Sequence, residues 1–373
     1  MSIVGTRPEG IKMAPLVRLL EQTEGVQSVL CLTAQHREML DQVLSLFELK
    51  PDYDLDIMRS EQSLTHITAR ALEGLEKIIR QERPHLILIQ GDTTTTFVGS
   101  LAAFYQHVTV GHVEAGLRTG DKYAPFPEEI NRRLNSVIAD LHFAPTPVAR
   151  DNLLREGIAS EQIFVTGNTV IDALKTTVQP SYQFSDPALR GLDFKRNRII
   201  LLETHRRENL GEPMRECFRA VRQLLDDFPD TVLVFPVHKN PAVRRVVTQC
   251  LEGHPRVMLL EPLDTLAFHN LMARSHLILT DSGGIQEEAP SLGVPVIVLR
   301  TVTERPEAIE AGTAVLGGTT REQIYATASH LLQNRSAYEQ MAHTANPYGD
   351  GHASERIMEV ILKELGVRSQ ESE

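Results

Sequence analysis

Short runs of Val, Ile and Leu alternate along this chain with stretches whose apolar residues recur every three or four positions. The runs predict strands at 28–33, 86–90, 108–112, 141–145, 163–166, 198–202, 232–236, 257–260, 277–280 and 294–299. The periodic stretches predict helices at 11–21, 37–47, 63–81, 94–105, 127–138, 147–156, 214–228, 265–273 and 320–334. Several runs, notably 86–89 and 294–299, are apolar without alternation, as strands buried on both faces must be. Such regular strand–helix alternation implies α/β architecture, with parallel sheets covered by helices on both faces.

Two segments echo each other. His85-Leu-Ile-Leu-Ile-Gln-Gly-Asp92 and His276-Leu-Ile-Leu-Thr-Asp-Ser-Gly283 are each a buried strand ending in an acidic, glycine-containing turn, which fits one module used twice. Between the halves, 176–197 holds two prolines and no clear period, and reads as a connector. At 373 residues the chain can hold two domains with separate cores. The expected architecture is two doubly wound domains facing a central cleft, residues 1–166 and 167–353, with ligands at the carboxyl ends of the strands.

A formal charge of −11 argues against a nucleic-acid partner, although Arg132-Arg133, Arg206-Arg207 and Arg244-Arg245 can still bind a small anion. Three widely spaced cysteines indicate neither a disulfide framework nor a zinc site. No apolar stretch reaches membrane-spanning length and no secretory pattern opens the chain, so a cytoplasmic location is expected.

The chemistry concentrates at strand ends. After the apolar run 277–279, Thr280-Asp281-Ser282-Gly283-Gly284 opens a helix carrying Glu287 and Glu288. Glycines let backbone N–H groups approach an anion, a helix N-terminus favours negative charge, and a carboxylate one turn on can meet a ribose diol. Gly5-Thr-Arg-Pro-Glu-Gly-Ile-Lys12 is not a P-loop, but Arg7 and Lys12 are candidate phosphate contacts. Asp92 and Glu114 each follow a strand and Glu128 opens a helix, so the three could converge at one sheet edge and do acid–base work; helix capping by Asp92 and surface ion pairs with Arg118, Arg132 and Arg133 are the plainer readings. His205, a candidate catalytic residue, follows the first strand of the second half beside two arginines, suited to contacting a diphosphate or moving a proton, and His238 and Arg305 occupy equivalent positions. The chain shows no GxGxxG, no HExxH, no nucleophile elbow and no metal cluster, so no cofactor and no metal are expected.

Taken together, Gly5-Thr-Arg-Pro-Glu, Thr33-Ala-Gln-His-Arg-Glu-Met-Leu-Asp-Gln-Val, Gly91-Asp-Thr-Thr-Thr-Thr, Gly111-His-Val-Glu-Ala-Gly-Leu-Arg-Thr-Gly, His205-Arg-Arg-Glu-Asn, Thr280-Asp-Ser-Gly-Gly and Asn346-Pro-Tyr-Gly-Asp-Gly351 closely resemble the non-hydrolysing UDP-N-acetylglucosamine 2-epimerases, over nearly the whole chain. The resemblance implies two Rossmann-like domains of the GT-B type, a C-terminal helix at about 354–365 returning to the first domain, and a homodimer. It implies interconversion of UDP-N-acetylglucosamine and UDP-N-acetylmannosamine for surface polysaccharides, through elimination of UDP to 2-acetamidoglucal and re-addition. Carried over by motif, Arg7, Lys12, His205 and Arg305 would hold the diphosphate, with Ser282, Gly283 and Gly284. Leu263 and Phe268 would face uracil, Glu288 the ribose, and Asp92, Glu114 and Glu128 would move protons, the one that takes the C2 proton being unassigned. Rival readings are a GT-B glycosyltransferase, a hydrolysing epimerase and a catalytically silent nucleotide-sugar sensor.

The chain departs from the family pattern at several points. Only four residues precede Gly5, so a shortened first strand is expected; Gly10 replaces the usual Ala; Glu203 and Thr301 are unusual at their motif positions. Many family members are activated by a second substrate molecule. Gln35 and His36, candidate allosteric contacts, are present, but Glu38 and Glu61 stand where regulated members carry Gln and Arg, and two extra acids weaken a second diphosphate.

Overall fold

Two separate parallel sheets organise the chain, and the computed structural model describes residues 1–33, 37–58 and 63–366. The first sheet contains β1 (Ser2–Val4), β2 (Leu30–Leu32), β3 (Tyr53–Asp54), β4 (Leu86–Gln90), β5 (Thr109–Val113), β6 (Leu141–Ala144) and β7 (Ile163–Val165), in the order β3-β2-β1-β4-β5-β6-β7. The second contains β8 (Arg198–Glu203), β9 (Thr231–Pro236), β10 (Val257–Leu260), β11 (Leu277–Thr280), β12 (Val296–Val298) and β13 (Ala314–Leu316), in the order β10-β9-β8-β11-β12-β13. Counted within its own sheet, each reads 3-2-1-4-5-6, the Rossmann order, and the first adds a seventh strand. Both units are therefore Rossmann-like. The strand order reverses between the first and fourth strands of each sheet, which is where ligands bind in such folds. The two echoing segments are those fourth strands, β4 and β11, in equivalent places.

Both faces of the first sheet are covered. Leu86 and Leu88 of β4 join Leu16, Val17, Leu20, Val43 and Phe47 on one face, while Ile87 and Ile89 join Ile67, Leu75 and Val98 on the other. A central strand with helices on each side needs an apolar residue at every position, which is why this run lacks alternation. In the second unit, Ile200 and Leu202 of β8, Leu233 and Phe235 of β9 and Leu277 and Leu279 of β11 pack with Phe218, Val221 and Leu224.

The chain divides into Met1–Lys175 with Tyr348–Glu373, and Thr176–Pro347. The first division falls beyond the 166 read from the sequence because helix Thr169–Thr177 is tied to the first unit. Its Asp172 carboxylate accepts the N–H groups of Ala353 (3.2 Å) and Ser354 (2.7 Å), and the Asn168 N–H donates to the Tyr348 carbonyl (2.7 Å). The C-terminal helix Ala353–Glu364 lays Ile357, Met358 and Ile361 into the core around Leu16, Val17 and Leu20. No helix among the described residues is long and apolar enough to cross a membrane.

Helix Arg7–Gln22 begins four residues before the predicted 11–21. A capping box explains this: Glu9 reaches back to the N–H groups of Gly5 (2.7 Å) and Thr6 (2.6 Å), and Pro8 is tolerated in a first turn. Arg7 and Lys12 thus stand on the first turns of a helix rather than on a loop.

Candidate active site

The carboxyl edge of the first sheet gathers the acids read from the sequence. Past β4, Gly91 takes φ +75° and turns the chain into Asp92; the Gly91 carbonyl accepts a hydrogen bond from His112 Nε2 (2.8 Å), whose ring burial keeps neutral, its pKa lowered to about 3. Thr93, not Asp92, caps helix Thr94–Tyr105, accepting the Thr96 N–H. Asp92 is left to pair with Arg132, whose Nε and Nη2 lie 2.9 and 2.7 Å from Oδ2. Asn131 donates to the Asp92 carbonyl (2.9 Å), so helix Glu128–Ile138 holds this turn from the side.

Glu114 follows β5 in the left-handed region, φ +65°, a conformation uncommon for a residue with a long side chain. Its carboxylate, 5% exposed, accepts from Lys12 Nζ (2.6 Å), Asn168 Nδ2 (3.2 Å) and Gln90 Nε2. Lys12 therefore serves first as the counter-ion of Glu114. Arg7, half-exposed one turn earlier, makes no ion pair among the described residues. Glu128 opens its helix at the same sheet edge, with Oε2 buried and lacking a hydrogen-bond partner among the described residues. Its neighbour Glu129, fully buried, does the structural work, accepting the Thr119 and Gly120 N–H groups and pairing with Arg132 and Arg133.

Beneath this edge lies a group that the sequence analysis passed over. Glu9 is 2% exposed and, besides its two backbone bonds, accepts the hydroxyls of Thr93 and Thr96. One carboxylate thus joins the Arg7 turn to the Asp92 turn, at the switch between β1 and β4. Burial pushes its pKa up against those four bonds. The Thr6-x-x-Glu9 spacing was its signal.

The second unit repeats the arrangement at the switch between β8 and β11. Asp281, wholly buried, accepts from Thr204 Oγ1 (2.7 Å), the N–H groups of His205 (3.2 Å) and Arg206 (3.1 Å), and Asn209 Nδ2 (2.8 Å). His205 Nδ1 lies 2.6 Å from Glu203 Oε1, and the ring stacks on His238 with centroids 5.1 Å apart. The Glu203 hydrogen bond raises the His205 pKa against burial, helped by the charges of Glu203 and Asp281. Glu203, His205 and Asp281 present ligand atoms within 4.8 Å of one another. Four donors already occupy Asp281, so its oxygens are spent on holding the 204–209 turn.

Ser282 precedes the short helix Gly283–Glu288, and a side chain on Gly283 would meet Glu304 Oε1 at 3.3 Å and Arg305 Cζ at 3.7 Å. A side chain there would press on the Glu304 carboxylate, which would have to give by a few tenths of an ångström. Arg305 pairs with Glu287, while Glu304 pairs with Arg206 (2.5 Å) and Arg300; burial opposes the charge of Glu304, but these arginines hold its carboxyl at about 2. On Glu288, Oε2 lies 3.5 Å from His269 Nε2, and His269 Nδ1 shares a hydrogen bond with Thr177 Oγ1 (2.7 Å). Helix Thr265–Met272, which carries His269, also carries Phe268, and Leu263 stands just before its cap Asp264.

Within each unit, then, the predicted residues share one edge: Arg7, Lys12, Asp92, Glu114 and Glu128 in the first, His205, His238, Leu263, Phe268, Ser282, Gly283, Gly284, Glu288 and Arg305 in the second. Gln35 and His36 lie outside the described residues.

A family model described as UDP-N-acetylglucosamine 2-epimerase matches residues 18–362. The chain is 54% identical to the UDP-N-acetylglucosamine 2-epimerase of Bacillus subtilis over 371 residues, covering 100% of this chain and 97% of that one. Its fold matches the Neisseria meningitidis UDP-GlcNAc 2-epimerase bound to UDP-GlcNAc with a TM-score of 0.88 and 48% identity, over 97% of this chain and 99% of that one. The Methanocaldococcus jannaschii enzyme in complex with UDP-GlcNAc and UDP aligns with a TM-score of 0.78 and 34% identity, over the same shares of each chain, 97% and 99%.

Proposed function

The chain belongs to the UDP-N-acetylglucosamine 2-epimerase family and is an isomerase, and on that premise we propose how its residues divide the work. The C2 hydrogen of the sugar is not adjacent to a carbonyl, so direct deprotonation would leave an unstabilised carbanion. Elimination avoids this: a carboxylate takes the C2 proton, the C1–O bond breaks, UDP departs, and 2-acetamidoglucal remains. Re-addition of UDP at C1 with protonation of the opposite face of C2 gives the epimer. Two faces of one carbon require acid–base groups on both sides, and Asp92, Glu114 and Glu128 are the candidates.

The expelled diphosphate must stay bound to be re-added. Arg7, Lys12, His205 and Arg305 supply positive charge for it, with His238 stacked beside His205, while Ser282, Gly283 and Gly284 supply hydroxyl and backbone contacts. Leu263 and Phe268 face the uracil and Glu288 takes the ribose hydroxyls. What supports this reading is that the candidates follow the carboxyl ends of strands in two Rossmann-order sheets, the acids with Arg7 and Lys12 in one and the remaining nucleotide contacts in the other.

Turnover of UDP-N-acetylglucosamine in D₂O, followed by NMR, tests it. The expected product is UDP-N-acetylmannosamine carrying deuterium at C2. Free N-acetylmannosamine would show a hydrolysing enzyme, and absence of turnover with retained UDP binding would show a sensor.

The proposal extends to a homodimer working in the cytoplasm. Helices Thr94–Tyr105 and Glu128–Ile138 lie side by side, joined by a Ser100–Asn135 hydrogen bond (2.9 Å), and expose Phe104, Tyr105, Ile130, Leu134 and Val137. Ile130, Leu134 and Val137 form a stripe at helical spacing, and Val137 is 80% exposed. A second copy of the same face is its natural cover. Replacing Leu134 and Val137 with aspartate is expected to halve the mass measured by light scattering; an unchanged mass would place the interface elsewhere.

A further inference from the structure

We propose that Glu203 is a positioning residue for His205: its carboxylate fixes the Nδ1–H so that Nε2 of an imidazolium is presented to the leaving diphosphate. This rests on the reading of His205 as a diphosphate contact.

The geometry is specific. Glu203 closes β8 and sits in register with Thr280, the last residue of β11. One of its oxygens takes His205 Nδ1 (2.6 Å) and the other takes the Thr280 hydroxyl (2.9 Å), whose own oxygen accepts the Ser282 N–H (2.9 Å). A single carboxylate thereby fastens two diphosphate contacts, the His205 ring and the Ser282 turn, to each other across the strand switch. His205 Nε2 has no hydrogen-bond partner among the described residues, and the side chain is 39% exposed, so that nitrogen is open to a ligand.

The charges around the ring agree. Asp281 lies 3.9 Å from Nδ1 and adds a second negative charge. Arg206 opposes, but its guanidinium is occupied by Glu304 (2.5 Å). His238 stacks on the ring from β9. With two carboxylates against one neutralised arginine, the imidazolium persists to higher pH than an isolated histidine, and the charged form is the one that stabilises a diphosphate gaining charge as C1–O breaks.

Two measurements on the full-length protein decide the matter. First, the His205 ring is titrated by NMR without ligand, assigned by comparison with His205→Gln. It should stay protonated above the ordinary value of about 6.5, and in Glu203→Gln it should fall back towards that value. Second, UDP affinity is measured by calorimetry from pH 6 to 8.5 in the parent and in Glu203→Gln, with Glu203→Thr as a second variant should the first fold poorly. Affinity in the variants should fall away at lower pH than in the parent, so that the gap between them widens roughly tenfold across the range. A parent ring that titrates near the ordinary value overturns the proposal, as does a gap of equal size at every pH, which would indicate packing alone. A parent protein that binds no UDP at any pH would overturn the diphosphate assignment instead, while the ligand-free titration still decides the part played by Glu203.

Discussion

Asp92→Asn is expected to lower kcat by roughly 10²–10⁴-fold while leaving the fold intact. Asparagine keeps the shape and an acceptor for Arg132 but cannot take or give the C2 proton. Little stability depends on the lost charge. Thr93 performs the helix capping, the turn is pinned through backbone groups by His112 and Asn131, and the Asp92 side chain is 27% exposed, where an ion pair contributes about 0–1 kcal/mol. Initial rates by NMR and a thermal melt on the same sample check this. Activity within threefold of the parent would remove Asp92 from the mechanism.

Glu114→Gln should be costly twice over. The parent carboxylate is enclosed by Lys12, Asn168 and Gln90, and Lys12 itself is only 17% exposed. An amide breaks that ion pair, a loss on the order of 3 kcal/mol, readable as a lower denaturant midpoint. Turnover should fall as far as in Asp92→Asn. Adding Lys12→Met tests the stability effect alone, since it also removes a diphosphate contact: the double variant should regain most of the stability. If Glu114→Gln keeps turnover within threefold of the parent, Glu114 is structural only.

Much of this was legible because buried parallel strands announce themselves. β4, β10 and β11 fall at the residues where their apolar runs predict them. β3 and β13 escaped, being two or three residues long and too short to show a period, while β1 is the shortened first strand expected before Gly5. Helix Pro241–Cys250 escaped because its proline start reads as loop, although Asn240 caps it. At the site, residues that end strands were readable from position alone. Their supports were not: Asn168 lies 54 positions from Glu114, and nothing local marks it as a donor. Asp281 and Glu203 were visible as residues, but their hydrogen bonds to the His205 segment depend on β8 lying beside β11, which no local pattern contains.

The return of helix Ala353–Glu364 to the first unit bears on how the molecule is made. A ribosome delivers residues in order, so the hollow around Leu16, Val17 and Leu20 stays open throughout the emergence of Thr176–Pro347. The leading half of the nascent polypeptide cannot finish its interior before the trailing half has been synthesised, and greasy side chains wait in contact with the cell's chaperones for that interval. Ile357, Met358 and Ile361, arriving last, are the latch that closes it.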